Sequence, residues 1–470
     1  MEGVRVGRRA SACQARGLLA TLAAVALLVT ACGDGGGGSG PGRSSSASAT
    51  TTNVYFQQRT QGVTRLLDAL ASALHSGSSA DLAALLDPSV TPALRDRLQT
   101  AQDNLSPAVR RAGPSGSSTP NRLRLKELRY QLAPTEEAET LIPAGLQARL
   151  NQQGSSDTWV APVEMHVALG GASTPGIGED DVVINTQLVA ARYDDTWKLV
   201  GDATLVGEPA PPTQMWDLPG LTATDVATVG GTSVIASYPG TSATVDRIRK
   251  LLPGAVAAVS GFWGSDWAQR AAILATDTDD QFHAVAGSAT DTAAAATIYA
   301  RLDLSARTAT GQRVILTPAA RDLPDPVLGV VLRHELTHVA TRAQTATAAP
   351  MWLTEGVAEY VGRKGTYTRP ADAAPDLAAA VQSGQVPTDL PSDAQFSLGG
   401  DSPQMAYQSA WSVAAFVAGT YGENKLKTLY TAVGAAGDGG RQDAALAATL
   451  GLSRAQFVQR WQAWLTRELR

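Results

Sequence analysis

Apolar positions recur with one period in the first part of the chain and with another in the second. Val63, Leu66, Leu67, Leu70 and Leu74 stand three or four residues apart, the stripe of an amphipathic helix, and a second helical region is expected over 80–112. The period then falls to two. Residues 123–132, 160–169, 182–190 and 197–205 read as strands with one face turned inward. The run Gly207-Glu208-Pro209-Ala210-Pro211-Pro212 interrupts this pattern, and a new one follows. Strand-like residues 226–236, broken at Gly230-Gly231, precede a helix over 242–260 and further strands over 270–275 and 313–317. After Leu328 nearly all of the text is helical, ending on the stripe Phe457, Trp461, Trp464 and Leu465. A small sheet followed by helices is an α+β arrangement. The expected organisation is an α+β domain over 54–206, a linker over 207–220 and a second domain over 221–470.

The first residues follow a different logic. Arg5, Arg8, Arg9 and Arg16 precede an apolar stretch over 18–29, which is short for a membrane span and has the layout of a signal peptide. It ends on Val29-Thr30-Ala31-Cys32, which resembles a bacterial lipobox. The resemblance implies removal of residues 1–31, diacylation of Cys32 and anchoring on the outer face of the membrane. Residues 32–53, rich in Gly, Ser and Thr, cannot bury a core and are expected to be a flexible tether.

Composition narrows the chemistry. The chain of 470 residues exceeds what one core usually organises, and its net charge of -5 leaves no basic excess for a phosphate backbone, so nucleic acid is not an expected partner. The two cysteines are Cys13 and Cys32, both at the start. The body of the chain therefore has no disulfide or thiolate site, and any metal must rest on histidines and carboxylates.

Such a set is present. Asp325-Pro326 reads as a helix N-cap and first turn, leading through apolar residues to His334-Glu335-Leu336-Thr337-His338. On a helix the two imidazoles project from one face, and Glu335, about 100° round, can reach a water in an open coordination position. With five histidines in the chain, this motif arises by chance roughly once in several hundred such sequences. His75, His166 and His283 lie outside it and read as surface or packed residues. Sixteen residues separate His338 from Glu355, which stands in Pro350-Met351-Trp352-Leu353-Thr354-Glu355-Gly356-Val357-Ala358-Glu359-Tyr360. A carboxylate on the next helix completes three ligands and leaves one place for water, the coordination of a catalytic zinc.

The segment Trp-Leu-x-Glu-Gly-x-Ala after H-E-x-x-H resembles the gluzincin metallopeptidases, especially the aminopeptidase N type. The resemblance implies a thermolysin-like domain and a zinc ion held by His334, His338 and Glu355, with Glu335 as general base in peptide hydrolysis. It also implies that Glu359, one turn beyond Glu355, orients a histidine ligand. The ligand spacing is slightly shorter than in aminopeptidases and no Gly-x-Met-Glu-Asn motif stands upstream, so aminopeptidase specificity is not carried over. No histidine follows His338, which leaves a tyrosine as the natural donor to an oxyanion; Tyr407 is favoured over Tyr421 and Tyr360. Helices followed by strands over 54–206 resemble the nuclear-transport-factor-2-like fold. The expected partners are a peptide or protein substrate and, through Cys32, a membrane. A competing class is an envelope binding or scaffold lipoprotein with a retained zinc site, which would have no use for Glu335. A deformylase-type hydrolase lacks its cysteine ligand here.

Overall fold

The first apolar stripe forms helix α1 (Val54–His75), which buries Val63, Leu66, Leu67, Leu70 and Leu74 on one face. The computed structural model describes residues 54–106, 121–134, 141–287, 294–397 and 403–469. The expected leader, Cys32 and the tether lie outside the described residues. The helix expected over 80–112 is instead two, α2 (Ser79–Leu85) and α3 (Pro92–Leu105). Pro88 disfavours a helical residue before it, and Pro92 fits a first turn but not a helix interior.

Strand β1 (Arg124–Leu132), helix α4 (Ala144–Gln152) and strands β2 (Asp157–Gly171), β3 (Val182–Tyr193) and β4 (Thr196–Asp202) follow. The strands form an antiparallel sheet in the order β1-β2-β3-β4. The strand expected over 197–205 stops at Asp202, whose carboxylate accepts a hydrogen bond from the Thr204 amide (3.1 Å) and turns the chain into a 3-10 turn.

The second sheet comprises β5 (Thr222–Thr228), β6 (Gly231–Ser237), β7 (Ala272–Ala275), β8 (Ala295–Ile298) and β11 (Arg313–Leu316). Helix α5 (Ser242–Trp263) connects β6 to β7, α6 (Asp279–Ala286) precedes β8, and the hairpin β9 (Arg301–Asp303) and β10 (Thr308–Thr310) precedes β11. The order is β5-β6-β7-β11-β8, with β6, β7 and β11 parallel and the edge strands β5 and β8 antiparallel to their neighbours. Sequence periodicity missed α6 and β8 to β10: strands of three or four residues are too short to show alternation, and α6 has only eight residues.

The period of two assigns the faces of this sheet. Val234, Ala236, Ala272, Leu274 and Ile315 share a core with the first sheet and helices α1 to α3. Ile235, Ile273, Ala275, Val314 and Leu316 share another with α5 and the helices that follow. These are α7 (Asp325–Thr341), α8 (Met351–Arg363), α9 (Pro370–Ala373), α10 (Pro375–Gln382), α11 (Pro403–Tyr421), α12 (Glu423–Gly434), α13 (Gly439–Leu450) and α14 (Arg454–Glu468). The fold is thus α+β, an N-terminal sheet region followed by a mostly helical one. In α14, Phe457, Trp461, Trp464 and Leu465 are buried, and the Trp461 indole donates to Ser412 Oγ (3.0 Å). No helix among the described residues is long and apolar enough to cross a membrane.

Residues 207–220 are packed into this body. Met215 and Trp216 are buried in the core shared by the two sheets. The Asn104 amide donates to the carbonyls of Trp216 (2.8 Å) and Leu218 (2.7 Å), and its oxygen accepts from the Leu221 amide (3.0 Å). A buried asparagine that satisfies three backbone groups holds the Pro-rich segment against α3.

Candidate metal centre

Helix α7 starts one residue earlier than expected. Pro324 is its N-cap and Asp325 lies in the first turn, with its carboxylate paired to Arg247 Nε at 2.6 Å instead of capping the helix. Leu328, Leu332, Leu336 and Val339 form its buried stripe. That stripe sets the rotation of the helix and turns His334 and His338 toward α8.

Helix α8 carries the acidic partners, and two glycines set its position. A Cβ on Gly362 would lie 3.1 Å from the Val330 carbonyl oxygen, where α8 crosses α7. A Cβ on Gly356 would lie 2.5 Å from the Ala410 carbonyl oxygen, where α8 crosses α11. The glycine directly after Glu355 is therefore a packing requirement: any side chain there would lift α8 and its carboxylate away from α7.

The resulting cluster is tight. His334 Nε2 lies 3.1 Å from His338 Nε2, and Glu355 Oε2 lies 3.2 Å from the first and 3.4 Å from the second. Ligands bound tetrahedrally at 2.0–2.1 Å from zinc are separated by roughly 3.3 Å, so the three donor atoms fit one such ion. Among the described residues this is the only group of three or more such side chains gathered closely enough to hold a metal. Glu359 Oε1 lies 3.3 Å from His334 Nδ1, on the far side of the ring, and its other oxygen pairs with Arg363 Nε. A carboxylate at that nitrogen fixes the ring's tautomer and orientation.

Electrostatics point the same way. Burial works against a charged Glu355, yet His338 and His334 hold its carboxyl below the ordinary range. Burial also opposes the His334 imidazolium, but Glu355 and Glu359 raise it well above the ordinary value. The pocket is built to hold positive charge.

Glu335 lies beside this set, 7% exposed. Its Oε2 accepts a hydrogen bond of 2.6 Å from Thr297 Oγ1, which comes from the edge strand β8. Thr297 has no place in the sequence reading. It stands in a short Ala-Ala-Thr-Ile strand with no motif around it, and only the pairing of β8 with β11 brings it to α7.

The tyrosines divide. Tyr407 packs edge-on against Phe396, with ring centroids 5.1 Å apart, in a cluster that includes Met351, one turn before Glu355. The Tyr360 hydroxyl donates to Glu423 (2.7 Å), and the Tyr421 hydroxyl accepts from Arg460 (3.3 Å), so both are engaged elsewhere. His166 lies between Asp181 and Glu164 on the first sheet, and His283 packs on Phe282. His75 ends α1.

Residues 328–467 match the profile of the Peptidase MA superfamily, from within α7 into α14 and across both helices that carry the donor set. This segment is similar to the Peptidase MA superfamily. The two sheets precede the matched segment, while every residue of the donor set lies inside it. No curated protein matches the chain. Among solved structures, an M1 zinc metallopeptidase from Deinococcus radiodurans is 12% identical, over 74% of this chain and 64% of that one, with a TM-score of 0.32. A mutant of the Deinococcus radiodurans enzyme gives 11% identity over 74% and 66%, also at 0.32. A two-domain M1 zinc metallopeptidase mutant bound to L-tryptophan gives 14% over 58% of each chain, at 0.31. This chain spans between 58% and 66% of the length of these neighbours, less than two thirds of each.

Proposed function

We propose that this chain is a zinc-dependent peptidase that hydrolyses peptide bonds, with His334, His338 and Glu355 as ligands and Glu335 as general base. The observation that carries this reading is a buried carboxylate, Glu335, beside a three-donor set that it does not belong to. A zinc kept for structure is usually closed by four protein ligands, whereas three donors and a neighbouring base are the arrangement of a hydrolytic site. When bound, zinc supplies a lowered pKa for water and polarisation of a carbonyl.

The chain's own residues do the rest. Glu335 takes a proton from the attacking water on its free Oε1 and delivers it to the nitrogen of the leaving amine. Thr297, by donating to Oε2, keeps that oxygen occupied and holds the transferable proton on the other. Glu359 and Arg363 hold the His334 ring from its Nδ1 side. Tyr407 is proposed as the donor to the developing oxyanion, supported by its place beside the start of α8.

A hydrogen bond to a charged group contributes about 1.5–3 kcal/mol, so Thr297→Val is expected to lower kcat roughly tenfold to a hundredfold with zinc content unchanged. Thr297→Ser should restore most of it, and a Val variant with wild-type kcat would leave Thr297 out of the mechanism. Removing an oxyanion donor typically costs about a hundredfold to a thousandfold, so Tyr407→Phe should reduce kcat on that scale while zinc content stays the same. Equal kcat in the two proteins would exclude Tyr407.

We also propose that the protein is exported and held by a lipid on Cys32 at the outer face of a bacterial membrane. Cys32→Ala should abolish partitioning into detergent and leave uncleaved precursor or released protein. Unchanged partitioning would refute the anchor.

A further inference from the structure

Arg342 is the C-cap residue of α7, one turn beyond His338, with helical backbone angles. Helical side chains lean back toward the N-terminus, so its guanidinium covers the turn that carries His338. There it lies over the Tyr299 ring, its central carbon 4.9 Å from the centroid. Tyr299 follows β8 and stands two residues beyond Thr297, the residue that donates to Glu335. Residues two apart on an extended chain share a face and lie about 7 Å apart. Thr297 and Tyr299 thus mark two successive stations along the seam between α7 and β8. Glu335 is at the first and Arg342 at the second. Tyr430 gives a second bearing: its buried hydroxyl bonds with Thr341 (2.9 Å) and Thr345 (3.0 Å), and it lies in the field of both Arg342 and Glu355.

Among the described residues, neighbouring arginines have partners that Arg342 lacks. Arg363 is paired with Glu359, and Arg333 donates to the carbonyls of Gly329 and Lys364. Among the described residues Arg342 has no carboxylate partner, and its Nε is buried without a hydrogen-bond acceptor. The other buried donors left without a partner are neutral hydroxyls and indoles. Arg342 is half-buried, but its buried Nε–H without an acceptor is costly, and stacking on Tyr299 orients the guanidinium without satisfying that hydrogen bond. The fork of a guanidinium matches a carboxylate in two parallel hydrogen bonds.

We propose that Arg342 recognises a substrate carboxylate beside the scissile bond, either a free C-terminus or an Asp or Glu side chain. This rests on the peptidase reading above. The full-length, zinc-loaded chain should cleave a defined synthetic peptide pool, prepared as free acids and as C-terminal amides, with products read by mass spectrometry. The expected profile favours bonds within two residues of a carboxylate at least about tenfold over neutral counterparts. That preference should vanish in Arg342→Gln and persist in part in Arg342→Lys, with zinc content and melting temperature matched to wild type. Loss of cleavage on amidation assigns the carboxylate to the C-terminus; retention with a preference for Asp and Glu over Asn and Gln assigns it to a side chain. A wild-type profile indifferent to charge, or an Arg342→Gln variant that slows acidic and neutral substrates equally, would overturn the proposal. If wild type cleaves nothing, the peptidase reading fails by itself. Retention of the same pool on zinc-loaded Glu335→Gln, with and without Arg342→Gln, then decides carboxylate binding separately: equal retention of charged and neutral peptides would reject it.

Discussion

Glu335→Gln is expected to keep its zinc and lose at least about a hundredfold in turnover. The substitution preserves the size of the side chain and still offers an oxygen to Thr297, so the contact between β8 and α7 survives. What it removes is the ability to accept a proton. Because the proposed ligands are His334, His338 and Glu355, metal content should not change. Metal analysis beside kcat separates the two effects. A variant within tenfold of wild-type kcat would transfer the role of base to another group.

Ligand substitutions should fail in the opposite way. His334→Ala, His338→Ala and Glu355→Ala are each expected to reduce zinc well below one per chain, with turnover falling in proportion. A metal that binds only the folded state stabilises it by about 4 kcal/mol at a thousandfold excess over Kd. Wild-type protein should therefore melt higher with zinc, and the three variants should lose most of that gain. Glu359→Gln should behave differently. Its carboxylate faces His334 Nδ1 and not the shared centre, so affinity should weaken about tenfold to a hundredfold without abolishing the site. If Glu359→Ala lost zinc while Glu355→Ala kept it, the two glutamates would exchange roles.

These residues were open to sequence reasoning to different degrees, for physical reasons. His334, Glu335 and His338 are local: their relation follows from 3.6 residues per turn and needs only that α7 be a helix. Glu355 required a second helix at the right distance, and it was the resemblance of its Trp-Leu-x-Glu-Gly-x-Ala segment to gluzincins that pointed to it. The reason for Gly356, a crossing with α11 at Ala410, is visible only in three dimensions. Thr297 and Arg342 were not legible, because β8 is four residues long and its place beside α7 comes from pairing with β11. Trp216 shows the same limit from the other side. A run of prolines signalled a boundary, but the hydrogen bonds that Asn104 donates and accepts across it depend on α3, more than a hundred residues away in sequence. The break between α2 and α3 was written in Pro88 and Pro92, and the apolar stripe concealed it.

The most direct test of a zinc-dependent peptidase is to incubate the purified full-length chain with an unbiased peptide mixture and identify new termini by mass spectrometry. Three states should be compared: as loaded with zinc, after chelation, and after zinc is restored. The prediction is about one zinc per chain, with cleavage that stops on chelation, returns with zinc and is absent in Glu335→Gln. A wild-type chain with a full complement of zinc that leaves the mixture intact would contradict it and favour a scaffold that retains the metal without the reaction.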